Sequence, residues 1–156
     1  MAYCTADDVI RMLKIDMIGY IIDDRDDIDM DDESELIRAI TPLADEAVED
    51  AQAEIDGYLA KRYPVPFART PRVIEKFAKD IALYNLVSRK GVDESDREKT
   101  YLTRYNAAVA FLTKAAEGKI DIDTEGSGAA QQTAAQNGFS MKSERRTFSR
   151  SSMKGW

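Results

Sequence analysis

Thirteen residues, Asp23 to Glu35, read DDRDDIDMDDESE and are the densest chemistry in the chain. Asp27, Asp29 and Asp31 alternate as the first oxygen ligands of a calcium loop do. Such a loop turns on a glycine at its sixth position and closes with a glutamate at its twelfth. Here Asp32 and Arg38 stand at those places. The run therefore reads as a solvated linker, or as an acidic face aimed at a partner, and not as a metal site.

Other routes to catalysis are thin. The chain has no histidine, so the commonest general base and metal ligand is missing. Its single cysteine, Cys4, can form neither an internal disulfide nor a Cys-based zinc site, and reads as a reduced, partly buried thiol. There is no Gly-rich phosphate loop and no nucleophile elbow. Asp45, Glu46, Glu49 and Asp50 fall on the polar side of one helical pattern, with Arg62 and Arg69 near enough in sequence to pair with them. A catalytic carboxylate pair needs two different environments, which this spacing does not supply. The expectation is no enzyme, no cofactor and no metal.

The elements that must position these residues are helical. Thr5 and Asp8 have the spacing of a capping box and open a short helix. IDMIGYIID is apolar but holds Gly19, and reads as helix or turn. ESELIRAI reads as a helix that stops at Thr41-Pro42, with Thr41 capping the next. That next helix runs to about Arg62, with Leu43, Ala47, Val48, Ala51, Ile55, Tyr58 and Leu59 on one stripe. Gly57 interrupts it, as a close crossing by another helix would require.

Thr70-Pro71 repeats the cap-then-proline signal before a helix burying Val73, Ile74, Phe77, Ile81 and Tyr84, which stops near Gly91. Asp93 caps a long last helix carrying Tyr101, Leu102, Tyr105, Ala108, Val109 and Leu112, ended by Gly118. KIDID, Lys119 to Asp123, alternates like a short strand. The fold class is mainly α: a compact bundle of about five helices, a short extended element and a long C-terminal arm.

The chain divides at that point. Residues 1–123 form the helical domain. Residues 124–156 are rich in Gly, Ser, Gln and Ala and contain no Leu, Ile or Val, so they cannot bury a core alone. Lys142, Arg145, Arg146, Arg150 and Lys154 against Glu125 and Glu144 leave this arm at +3; with the whole chain at −7, the body stands at −10. Such a body is not built to grip DNA. The arm allows two readings: nucleic-acid contact through its arginines with Phe148 or Trp156 stacking, or docking on a protein partner. Its aromatics are widely spaced, which favours docking. The partner-binding candidates are Phe139, Arg145, Arg146, Phe148, Arg150 and Trp156. No apolar run has the length of a signal sequence or a membrane span. The expected product is soluble and made in a cytoplasm.

RYPVPF, Arg62 to Phe67, matches a polyproline ligand weakly. It is stronger as a rigid corner, because each proline restricts its own backbone and its predecessor's. The corner candidates are Gly57, Tyr63, Pro64, Pro66 and Phe67, with the two rings folding back over the helix ends.

Four stretches in this order resemble the conserved gp36-like family of Mu-type phages: TADDVI at Thr5, AEIDGYLAKRYPVPF at Ala53, VIEKFAKDIALYNL at Val73 and RYNAAVAFLTKAAEGKI at Arg104. The resemblance spans residues 3–122; compact members end there, so the arm is a departure. The family resembles helical head–tail connector, or head-completion, proteins of tailed phages. That implies a structural subunit of the virion neck, made in the host cytoplasm. Its implied partners are copies of itself in a ring, commonly a dodecamer, the portal protein above, and tail or neck proteins below. DNA would pass through the channel without specific binding, and no membrane is involved. The alternatives are a nucleic-acid-binding accessory protein using the basic arm, or another neck protein such as a tail terminator.

Overall fold

A computed structural model describes residues 2–24, 28–91 and 96–124, with residues 96–98 described by backbone alone. The chain divides into the units Met1–Gly126 and Ser127–Trp156. The first unit is helical as expected: α1 (Ala6–Ile10), α2 (Ile15–Ile22), α3 (Glu33–Leu59), α4 (Arg72–Ser88) and α5 (Asp96–Ala116).

α1 begins as the sequence dictates. The Thr5 hydroxyl accepts the Asp8 N–H at 3.2 Å while the Asp8 carboxylate accepts the Thr5 N–H at 3.2 Å. This reciprocal cap satisfies two donors that a helix start otherwise orphans, and such caps are worth about 1 kcal/mol. IDMIGYII is helix throughout, with Met17, Ile18, Ile21 and Ile22 buried.

α3 overturns one expectation. The chain does not break at Thr41-Pro42; one helix of 27 residues runs through Pro42. Thr41 caps nothing, and its hydroxyl donates back to the Ile37 carbonyl at 2.7 Å. The actual cap is Asp32, whose carboxylate accepts the Ser34 N–H at 2.8 Å. A proline in a helix interior costs about 3 kcal/mol. Packing outweighs that cost. Leu36, Ile40, Ala44, Ala47, Val48, Ala51, Ile55 and Leu59 keep one helical stripe on both sides of Pro42, all buried. Each such Leu or Ile contributes about 1.5–3 kcal/mol. α3 touches all four other helices and is the hub of the body.

Other corrections are local. Thr70 does not cap α4; Pro71 holds the cap position without a side-chain bond. α3 ends at Leu59, three residues short of Arg62. A methyl group placed on Gly57 would meet nothing within 4 Å, so no helix among the described residues crosses there. KIDID is not a strand, and there is no neighbouring strand for it among the described residues. Asp93 lies outside the described residues. Gly91 and Gly118 do end their helices, at φ of 92° and 79°. After α5, Gly118 N–H returns to the Ala115 carbonyl at 3.1 Å and Lys119 N–H to the Lys114 carbonyl at 2.9 Å. That paired return is the glycine-dependent way to close a helix end.

Candidate functional surfaces

The proline corner is a junction of three segments. Val65–Pro66 is cis. Phe67 is buried, with its ring 5.8 Å from Tyr3 and 6.1 Å from Tyr63. The Tyr3 hydroxyl donates to Asp56 on α3 and accepts the Phe67 N–H at 3.2 Å. Burial, then the Asp56 bond, push this phenol well above its usual range. On the other side, Tyr63 Oη accepts the Ile122 N–H at 3.0 Å. Arg62 donates to the Ala115 carbonyl at 2.7 Å and pairs with Asp121 at 3.0 Å. The corner thus ties the N-terminus, the end of α3 and the segment after α5. It carries no reactive group in an open site.

Arg62 therefore does not reach the acids of α3, and Arg69 is exposed without an ion pair to them among the described residues. Asp45, Glu46, Glu49 and Asp50 are all exposed, as a solvated helix face should be. Part of the acidic run has local work. Asp32 caps α3, Asp29 accepts the Asp31 N–H at 3.0 Å, and Glu35 accepts the Asp29 N–H at 3.0 Å. Asp24 pairs with Arg89 at 3.4 Å, and Asp23 with Lys90. Asp27 lies outside the described residues; among those described, no group of three or more potential ligands is arranged for a metal.

One carboxylate has a depth that its spacing does not announce. Asp80 sits on α4 with a side chain 1% exposed, between Lys76 at 2.8 Å and Arg104 of α5 at 2.5 Å. The Arg104 contact is close but off the hydrogen-bond line, leaving Asp80 Oδ1 without an aligned donor. A cavity of about 540 Å³ opens here, lined by Arg72, Glu75, Lys76, Lys79, Asp80 and Arg104. Its cations are largely spent: two on Asp80, and Lys79 on Glu75 and Asp8. The site is an ion cluster in which surface cations converge on the buried Asp80. The (i, i+4) spacing of Lys76 and Asp80 is visible in sequence; the burial of Asp80 is not.

Cys4 is buried and free, as expected. Burial, then the Asp8 charge, push its thiol up to about 11, which suppresses the nucleophilic thiolate.

The third surface mixes exposed apolar and acidic residues. Among the described residues the exposed large hydrophobics are Ile15, Tyr20, Met30 and Ile37, all from one 23-residue stretch. Two of them, Ile15 and Met30, line a groove of about 300 Å³ between α2 and the start of α3, with Gly19 and Leu36. Asp16, Asp31 and Glu33 line it as well. The arm candidates Phe139, Arg145, Arg146, Phe148, Arg150 and Trp156 lie outside the described residues.

The family model described as Bacteriophage Mu, Gp36 matches residues 3–142. The chain belongs to that family. Similar Gp36-type proteins include the Mu-like prophage FluMu protein gp36 of Haemophilus influenzae, 32% identical over 111 residues, covering 71% of this chain and 73% of that protein. Gene product J of Escherichia phage Mu is 30% identical over 83 residues, 53% of this chain and 55% of that protein. The chain is thus a phage-family protein. The Gp36 match also corrects the sequence reading: it extends 20 residues past Ile122, so the first part of the arm is within the family pattern. No helix among the described residues is long and apolar enough to cross a membrane.

Proposed function

We propose that this Gp36-family protein is a structural subunit of phage assembly, and specifically a head–tail connector of the virion neck. In this reading copies close into a ring beneath the portal, extend the DNA channel and offer a docking surface for the tail. The observation that carries it is the match to the Gp36 family, with the exposed Ile15 and Met30 sharing one groove on the body as a supporting feature. Exposed apolar patches mark protein interfaces. A ring of one subunit requires a patch that meets a different surface on the next copy.

The body's net charge of −10, the whole chain's −7 less the arm's +3, supports a channel role. Phosphate contacts dominate DNA affinity, so an acidic lining lets DNA slide. That part of the reading fails if the run from Asp23 to Glu35 faces the ring exterior. The arm, Phe139 to Trp156, is assigned to a neighbouring subunit or the portal. No catalysis, metal or cofactor belongs to this role.

Electron microscopy and native mass spectrometry of the protein with its portal test the reading. Closed rings are expected, and deletion of residues 124–156 should weaken portal binding. Unchanged binding after that deletion removes the arm from the interface, and absence of any portal complex overturns the connector role. The basic arm supports a second reading, nucleic-acid binding. It predicts a salt-dependent DNA affinity that vanishes when the arm is removed.

A further inference from the structure

Two clefts on opposite sides of α4 carry opposite charge. The first, the cavity of about 540 Å³ over Asp80, has Arg72, Lys76, Lys79 and Arg104 in its lining. Lys79 is spent on Glu75 and Asp8. Lys76 and Arg104 share the single charge of Asp80, with side chains 63% and 39% exposed against 1% for the carboxylate. One of those two cations is in excess, and both reach the solvent side. Arg72 is exposed and forms no ion pair among the described residues. The mouth of this cleft is therefore cationic on a strongly acidic body. The second cleft, of about 410 Å³, lies between α3 and α4, with Leu43, Glu46, Asp50, Asn85 and Arg89 in its lining. Arg89 is turned to Asp24. Glu46 and Asp50, with Asp45 and Glu49 beside them on α3, are exposed and without an ion pair among the described residues.

Asp80 and Arg89, and likewise Lys76 and Asn85, are nine residues apart on α4. At about 3.6 residues per turn that is two and a half turns, so the clefts open on opposite sides of the helix. One copy cannot close its own cleft with its own acidic face. Two copies meeting through the same cleft would set like charges together, which opposes binding. Two copies meeting head to tail set the Arg72 cleft of one against the Glu46 face of the next. We infer that the cationic cleft at the start of α4 receives the acidic face of α3 from a second copy. Arg72 and Lys76 meet Glu46 and Asp50, and the clefts' apolar members, Met12 in one and Leu43 in the other, add contact between the charges. Charge pairing of this kind selects which faces meet, and in which order, more than it adds strength. It leaves each copy one open cleft and one open face, the pattern that closure into a ring needs. The inference rests on the ring reading for the head-to-tail arrangement of copies.

The test is analytical ultracentrifugation of the full chain at low and high salt. The unsubstituted chain should self-associate at low salt and several-fold more weakly at high salt, because salt screens exposed pairs. Arg72→Glu with Lys76→Glu reverses the cleft, and Glu46→Lys with Asp50→Lys reverses the face. Each variant alone should lose self-association. An equal mixture of the two should recover it, since every contact between them again joins opposite charges. Circular dichroism checks folding, and Arg72→Glu alone replaces the cleft pair if Lys76→Glu unfolds the chain beside Asp80. An unsubstituted chain that stays monomeric at low salt, a variant that self-associates unchanged, or a mixture that does not recover overturns the inference. Portal binding is measured separately. Rings on the portal that survive both reversals sink this contact and leave the connector role standing. Salt-sensitive self-association that mixing rescues, without any portal complex, sinks the connector role and leaves the contact standing.

Discussion

Tyr63 Oη accepts the backbone N–H of Ile122 at 3.0 Å, so a residue of the proline corner fastens the segment after α5 to the end of the central helix. Ile122 is itself 6% exposed. Tyr63→Phe keeps the ring and removes the acceptor from a part-buried donor. A loss of about 1–2 kcal/mol is expected, read as a lower urea midpoint with an unchanged slope. An unchanged midpoint would mean that water replaces the phenol at no cost.

Gly57 offers the opposite sign. It is exposed in the body of α3, and an added methyl meets nothing. Gly57→Ala should stabilise by about 0.5–1 kcal/mol, raising the thermal midpoint by several degrees. A destabilised variant would mean that the added methyl meets a contact in solution at this glycine.

Asp80 is deeply buried between two partly exposed cations. Removing either cation alone leaves the carboxylate one partner. Lys76→Met and Arg104→Met should each cost about 1 kcal/mol, the upper end for pairs whose cation is solvent-screened. The double variant should cost clearly more than their sum, because it strands a buried charge. A double-mutant cycle by denaturant unfolding reads this directly, and simple additivity would show that the two cations act on Asp80 independently.

Alkaline pH should destabilise the fold. Cys4 is pushed up to about 11 and Tyr105 up to about 12, the latter by burial and then its bond to Glu54, and Tyr3 is raised as well. Each group stays neutral in the folded body while its unfolded counterpart ionises. The stability they contribute is complete below their ordinary values near 9 and 10 and is lost as pH rises through the folded ones. Urea midpoints should fall steadily between about pH 9 and pH 11, and Tyr105→Phe should flatten part of that fall. Cys4 should also react with a thiol reagent at about pH 8 far more slowly in folded than in unfolded protein.

Much of the body is legible in sequence because its signals are local. The Thr5–Asp8 cap spans three residues, and Gly118 closes a helix through its own backbone freedom. Thr41-Pro42 misleads for a non-local reason. A proline's cost is fixed by the backbone, but the stripe that offsets it, from Leu36 to Leu59, is valued only once α1, α2, α4 and α5 cover it. KIDID fails likewise: alternation implies a strand only where another strand waits, and here Arg62 and Tyr63 wait instead. The groove is half visible. Asp31 and Glu33 belong to an acidic run, but only the folded chain sets Ile15 and Met30 beside them. The depth of Asp80 is beyond sequence reach, since (i, i+4) pairs usually stand on exposed faces.

Every other helix rests on α3. A proteolytic nick inside it, or a frayed turn near Pro42, would therefore deprive four neighbours of a common wall at once. The body should accordingly melt as one cooperative unit, and no fragment lacking α3 should persist under limited digestion. Slowly exchanging amides should concentrate between Ala44 and Leu59. Failure of the body should therefore be all-or-none, with no half-open subunit left behind.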